Sequence, residues 1–200
     1  MPSASENLVP VEHRIAADQR HLRNRHRSAV LWFTGLPGSG KSTLALGLEQ
    51  RLFELGAQVY SLDGDNIRRG LNSDLGFSHE DRTENIRRIG EIAALFADAG
   101  LMVVTAFISP YRRDRETAHA AAGNAFHEIY IKASVEVCER RDPKGHYALA
   151  RAGKLPDFTG VSAPYEAPEN PALTIDTDRL SIEESLDLLV AFVRAHLLLT

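Results

Sequence analysis

The sequence predicts a single-domain α/β fold in which a mostly parallel five-stranded sheet is flanked by helices and covered at one end by a helical and loop lid. Three observations carry that expectation. Short apolar runs at 30–33, 59–62, 101–107, 129–131 and 173–175 alternate with stretches of helical periodicity, the pattern of βαβ units with buried parallel strands. The string Gly35-Leu36-Pro37-Gly38-Ser39-Gly40-Lys41-Ser42 fits G-x-x-x-x-G-K-[ST] at every fixed position and directly follows the first apolar run, which is the setting of a phosphate loop and of the P-loop NTPase fold. Two hundred residues, 44% of them hydrophobic, suffice for one core and leave little room for a second catalytic module.

Residues 1–28 are polar, with Arg20, Arg23, Arg25 and Arg27 crowded around two histidines, and the chain turns apolar at Ala29. This predicts a basic N-terminal arm (1–28) ahead of a domain over 29–200. The arm is either a solvated helix or tail, or a segment that touches a partner subunit or screens the nucleotide pocket. After the first strand, the loop glycines let successive N–H groups converge on an anion, Lys41 brings a point charge for terminal phosphates, and Ser42 can hold Mg2+. Nucleoside triphosphate binding is therefore expected of Gly35, Leu36, Pro37, Gly38, Ser39, Gly40, Lys41, Ser42 and Thr43. A helix over 42–55 follows the loop.

The second strand ends in Leu62-Asp63-Gly64-Asp65-Asn66-Ile67-Arg68, at the carboxyl edge of the sheet where open α/β folds take ligands. Asp63 is the candidate carboxylate to accept or orient an acceptor proton and to help arrange Mg2+, because neither the third nor the fourth apolar run is followed at once by aspartate. Capping of the next helical turn is the competing role for both Asp63 and Asp65. A helix is expected over 82–99, with Asp81 at its start, an apolar stripe through Ile86, Ile89, Ile92, Ala93 and Phe96, and a stop at Gly100. The segment 141–171 carries Lys144, Arg151 and Lys154, has a helical pattern only near 147–152, and ends rich in proline. It reads as a lid, because a phosphoryl-transfer site must exclude water. Ser181 and Glu184 form a capping box for a last helix whose Leu186, Leu189, Val190, Val193 and Leu197 make one apolar stripe.

The formal charge of −4 disfavours electrostatic capture of a nucleic-acid polymer and leaves a small anion as the expected ligand. A single cysteine, Cys138, excludes an internal disulfide and a Cys-based zinc site and favours a reducing compartment, the cytoplasm. The N-terminus lacks the apolar core of a secretory signal, and the apolar-rich segment 186–199 is broken by Asp187, Arg194 and His196, so neither export nor a membrane span is expected.

Several strings carry a more specific likeness. Asp63-Gly64-Asp65-Asn66, Asn72-Ser73-Asp74-Leu75-Gly76-Phe77-Ser78, Asp81-Arg82, Glu84-Asn85-Ile86-Arg87-Arg88-Ile89-Gly90, Thr105-Ala106-Phe107-Ile108-Ser109-Pro110, Arg141-Asp142-Pro143-Lys144-Gly145 and Phe158-Thr159-Gly160 resemble, in order, the adenylyl-sulfate kinase (APS kinase) family over about residues 28–180. The resemblance implies a Mg2+-dependent, dimeric P-loop enzyme. Its reaction moves the γ-phosphoryl of ATP to the 3′-hydroxyl of adenosine 5′-phosphosulfate, and its expected setting is sulfate assimilation, with association to a sulfate adenylyltransferase. It also implies roles for individual residues. Phe77 and Phe158 sandwich the acceptor adenine, Arg68, Arg82 and Asn85 clamp phosphosulfate and ribose, and Lys144 and Asp65 belong to the substrate site. Ser109 is the serine described in the family as a phosphorylated intermediate. Ile108 and Ser109 can equally present backbone groups to the acceptor, and direct in-line transfer is preferred because nothing local to Ser109 supplies a base. Pro37, Pro156 and Ser162-Ala163 depart from the family pattern without removing a group assigned to chemistry.

Two rivals follow from the same residues. A related small-metabolite kinase would lack the Phe77/Phe158 pair, and a non-catalytic nucleotide-sensing module of a sulfate-activating assembly should have lost Lys41, Asp63 or Ser109. A GTPase is disfavoured because no Asn-Lys-x-Asp motif occurs.

Overall fold

A computed structural model describes residues 13–199. The elements run α1 (Ala17–Asn24), β1 (Ala29–Thr34), α2 (Lys41–Glu54), β2 (Val59–Asp63), α3 (Gly64–Ile67), α4 (His79–Asp98), β3 (Met102–Ala106), α5 (Arg112–Ala122), β4 (Phe126–Lys132), α6 (Val135–Arg141), α7 (His146–Arg151), β5 (Leu173–Asp176) and α8 (Ile182–His196). The five strands form one parallel sheet in the order β2-β3-β1-β4-β5. All six residues of the central β1 are buried, which is why it reads as an unbroken apolar run. Its side chains alternate between two layers. Leu31 and Phe33 pack with Leu44, Leu48 and Leu52 of α2 and Leu186, Leu189 and Val193 of α8, whereas Val30 and Trp32 pack with Ile86, Ile89 and Ala93 of α4 and Ala118 of α5. A third cluster, of Leu36, Ala133, Cys138, Tyr147, Ala150 and Phe158, lies beneath the phosphate loop and the expected lid.

β1 lies between β3 and β4, so the chain leaves it to one side for β2 and β3 and to the other for β4 and β5. That reversal opens a crevice at the carboxyl ends of the strands. The phosphate loop follows β1 there, Asp63 closes β2, and Ser109 follows β3.

Local contacts refine these expectations. The fourth helix begins three residues before Arg82, because the Ser78 hydroxyl accepts from the Asp81 N–H at 3.1 Å; Ser78, not Asp81, is the cap. The described part of the expected arm is a largely exposed helix held to the domain at a few points: Arg20 and Asn24 donate to the Ala99 and Gly100 carbonyls, and His26, beyond the helix, is fully buried. His26 bonds the Arg27 carbonyl through Nδ1 and accepts from the Gln58 N–H through Nε2, each at 3.0 Å, and burial lowers its pKa. The readings made on residues 1–12, including the absence of a leader, fall outside the described residues. Within 141–171 the last part is bolted down. Tyr165 bonds Thr34 at 3.0 Å, the Glu166 N–H donates to the Pro110 carbonyl, and the Glu166 carboxylate accepts from the Arg112 N–H at the start of α5. The strap thus ties the proline-rich end of the expected lid to β1 and α5. Among the described residues no helix is long and apolar enough to cross a membrane.

Candidate active site

The phosphate loop is shaped by Gly38 and Gly40, at φ +78° and +98°, where a side chain would strain the backbone. At Gly38 a Cβ would also come within 3.0 Å of the Cys138 carbonyl oxygen. Three residues that sequence reasoning did not single out brace the loop from behind: Tyr147 donates to the Pro37 carbonyl (2.9 Å), Thr177 to the Ser39 carbonyl (3.0 Å), and Arg141 to the Thr177 carbonyl (2.6 Å). Lys41 lies buried at the start of α2, its ammonium donating to the carbonyls of Gly35 (2.9 Å) and Leu36 (2.7 Å). Ser42 and Thr43 are exposed on the first turn of the same helix.

The decisive contact joins the two halves of the site. Ser42 Oγ donates to Asp63 Oδ2 at 2.7 Å, while Asp63 Oδ1 accepts from the Asp65 N–H at 3.0 Å. Asp63 therefore caps α3 through one oxygen and faces the phosphate loop through the other. Asp65 is also claimed from across the crevice, since its carboxylate pairs with the Lys144 ammonium.

Around the acceptor side, the Arg68 guanidinium lies over the Phe77 ring, 4.5 Å from its centroid, and donates to the carbonyls of Leu75 and Gly76. Phe77 is 70% exposed, an unusual place for a phenylalanine, while Phe158 is buried edge-on to Tyr147 at 5.0 Å. Arg82 connects their two segments, donating to the carbonyls of Phe77 and Asp157, both at 2.9 Å. Asn85 does not share the exposure of Arg82; it is buried, and its side-chain oxygen accepts from the amide of buried Asn72 at 3.0 Å. Ile108 and Ser109 follow β3. The Ser109 hydroxyl is buried and accepts from the indole N–H of Trp32 at 3.1 Å, its sole partner among the described residues.

Lys41 gives the site a pH signature. Burial is the main cause that lowers its pKa from 10.5 to about 7, opposed by Cys138 and Asp63 and reinforced by the Lys144 charge. Between those values the unfolded chain holds the extra proton, so this group makes the nucleotide-free fold more stable as pH rises through about 7. A bound triphosphate favours the ammonium. Nucleotide binding at about pH 8 is therefore expected to take up a proton, approaching about one per site. Calorimetric titration in buffers of different ionisation enthalpy reads it directly, and identical enthalpies in all buffers would contradict it.

Comparison with known proteins decides the family. The adenylylsulphate kinase family model matches residues 27–176. The chain belongs to that family. It is 55% identical over 195 residues to the adenylyl-sulfate kinase of Staphylococcus epidermidis, covering 97% of this chain and 98% of that one. To the adenylyl-sulfate kinase of Geotalea uraniireducens it is 60% identical over 188 residues, covering 94% and 90%. Among solved structures it resembles the Mycobacterium tuberculosis APS kinase, in complex with AMPPNP and APS, with a TM-score of 0.80 and 48% identity over 84% of this chain and 98% of that one. Membership in this kinase family sets aside the small-metabolite kinase as the nearest likeness.

Proposed function

We propose that this chain transfers the γ-phosphoryl group of ATP to the 3′-hydroxyl of adenosine 5′-phosphosulfate, releasing ADP and 3′-phosphoadenosine 5′-phosphosulfate for sulfate assimilation. The near-full-length match to adenylyl-sulfate kinases carries the reading. The site supplies what the chemistry needs. The ribose 3′-oxygen forms a bond to the γ-phosphorus as the bond from that phosphorus to the β,γ-bridging oxygen breaks, and the 3′-hydroxyl loses its proton. The phosphate loop and Lys41 hold the donor, and Asp63, at the end of β2, takes or orients the proton. Phe77 and Phe158 offer aromatic faces for the adenine, and Arg68, Arg82, Asn85 and Lys144 line the acceptor side. Ser109 serves through its backbone with Ile108, since its hydroxyl bonds only Trp32 among the described residues and no base there accepts its proton. Ser42 and Asp63 fit Mg2+: a hydroxyl and a carboxylate stand side by side, oxygen donors of the kind that this hard cation takes together with waters and phosphate oxygens. When bound, the ion neutralises charge on the phosphates.

The same reading places the protein in the cytoplasm, consistent with one buried free cysteine, as a homodimer associated with a sulfate adenylyltransferase, with no nucleic-acid polymer and no membrane as partner. The test of the reaction is ADP release with adenosine 5′-phosphosulfate, adenosine monophosphate or gluconate as acceptor, each at low micromolar concentration. A strong preference for the phosphosulfate is expected, and comparable rates with all three would overturn the assignment.

A further inference from the structure

Ser109 is one of three non-glycine residues with a left-handed backbone among those described, at φ +40°, a conformation that persists only where the surroundings impose it. Arg115, in the first turn of α5, imposes it. Its guanidinium is 97% buried and splits its donors among three segments: the Ser109 carbonyl at 2.7 Å, the Glu166 carbonyl of the strap at 2.8 Å, and the Glu128 carboxylate of β4 at 2.5 Å. Thr34 adds a bond to the Ile108 carbonyl at 2.8 Å, and Trp32 holds the Ser109 hydroxyl. Both carbonyls of the Ile108-Ser109 pair are thus occupied. Their two N–H groups, by contrast, make no hydrogen bond among the described residues, although Ser109 is almost wholly buried. Consecutive free N–H groups at the end of a strand suit an oxyanion or a polarised hydroxyl.

We propose that Arg115 is a positioning residue for the acceptor: by fixing the Ser109 carbonyl and the strap together, it keeps the Ile108 and Ser109 amide groups directed to the phosphosulfate substrate. This rests on the reaction proposed above and adds to it a residue that touches neither substrate. A planar fork is needed because three acceptors on three segments must be met at once; a lysine has the charge and a single donor centre. The acceptor half of the site depends on Arg115, and the donor half, built on the loop after β1, does not.

The test begins with wild-type turnover on adenosine 5′-phosphosulfate, whose absence would defeat the proposed reaction rather than the role of Arg115. Arg115→Met and Arg115→Lys are then compared with it. Arg115→Met is expected to raise KM for the phosphosulfate by about tenfold or more while KM for ATP stays within about twofold, and added guanidinium ion should recover part of the loss. Should the Met variant fail to fold, Arg115→Lys decides, because it keeps a cation beside Glu128; its KM for the phosphosulfate should still rise by about fivefold. Trp32 is the single tryptophan of the chain and its indole N–H bonds the Ser109 hydroxyl, so its emission should shift in both variants. Equal changes in the two KM values, or an unaltered KM for the phosphosulfate in the Lys variant, would overturn the proposal.

Discussion

Asp63→Ala is expected to lower kcat by roughly a thousandfold while ATP binding stays within about twofold of the wild type. The carboxylate makes two separate contacts, one to Ser42 at 2.7 Å and one to the Asp65 N–H at 3.0 Å. Its removal therefore mixes two effects, because loss of an N-cap alone costs about 1 kcal/mol of stability. Asp63→Ser separates them. Serine caps a helix about as well as aspartate and carries no negative charge, so the Ser variant should unfold at nearly the wild-type denaturant concentration yet be about as inactive as the Ala variant. Asp63→Asn, which keeps the shape, should lose most of the activity as well. Single-turnover measurement with saturating ATP and phosphosulfate checks the kinetic part. A Ser or Asn variant retaining more than about a tenth of wild-type kcat would leave Asp63 with its capping role only.

Sequence and structure agree where the information is local. The capping box of Ser181 and Glu184 needs only residues three apart, and both of its bonds form, at 2.8 and 3.2 Å. β1 was legible because a strand with sheet on both edges and helices on both faces must be apolar throughout. The start of α4 was misplaced by a purely local ambiguity, since serine at 78 and aspartate at 81 are both good caps and only backbone geometry chooses between them. Other features had no local trace. Ser109 meets Trp32 across 77 residues and Lys144 meets Asp65 across 79, and no periodicity reports such pairs. Phe158 lies in a polar stretch of sequence; its neighbours Leu36, Ala133, Cys138 and Tyr147 come from the phosphate loop and from beyond β4, so the small cluster that shelters it exists only after folding. Arg115 was invisible for the same reason, a charged residue in a charged helix start whose three partners arrive from the β3 turn, the strap and β4.

The second large effect is expected at Arg82, where resemblance and geometry point to different physical roles. As a clamp, a guanidinium grips the substrate and its charge is what matters. In this structure all three of its nitrogens bond within the protein: Nε to the Phe77 carbonyl and one terminal nitrogen to the Asp157 carbonyl, both at 2.9 Å, the other to Thr159 at 3.5 Å, which leaves two of its five N–H donors free. These contacts tie the loop of Phe77 to the segment of Phe158, and on the proposed reaction, in which both rings take the adenine, Arg82 acts as a strut between them. A strut depends on the fork, so Arg82→Lys should be nearly as damaging as Arg82→Ala. We expect each to lower kcat/KM for the phosphosulfate by about a hundredfold or more, with KM for ATP within about twofold. A ring-only ligand separates the roles further. Adenine lacks both the phosphosulfate and the ribose, so a clamp mutant should bind it as the wild type does, whereas a strut mutant should bind it roughly tenfold more weakly because the aromatic rings are no longer held in place. Equilibrium dialysis with adenine reads this without any turnover. Unchanged adenine binding in Arg82→Lys, together with a lost kcat/KM, would return the residue to the clamp role.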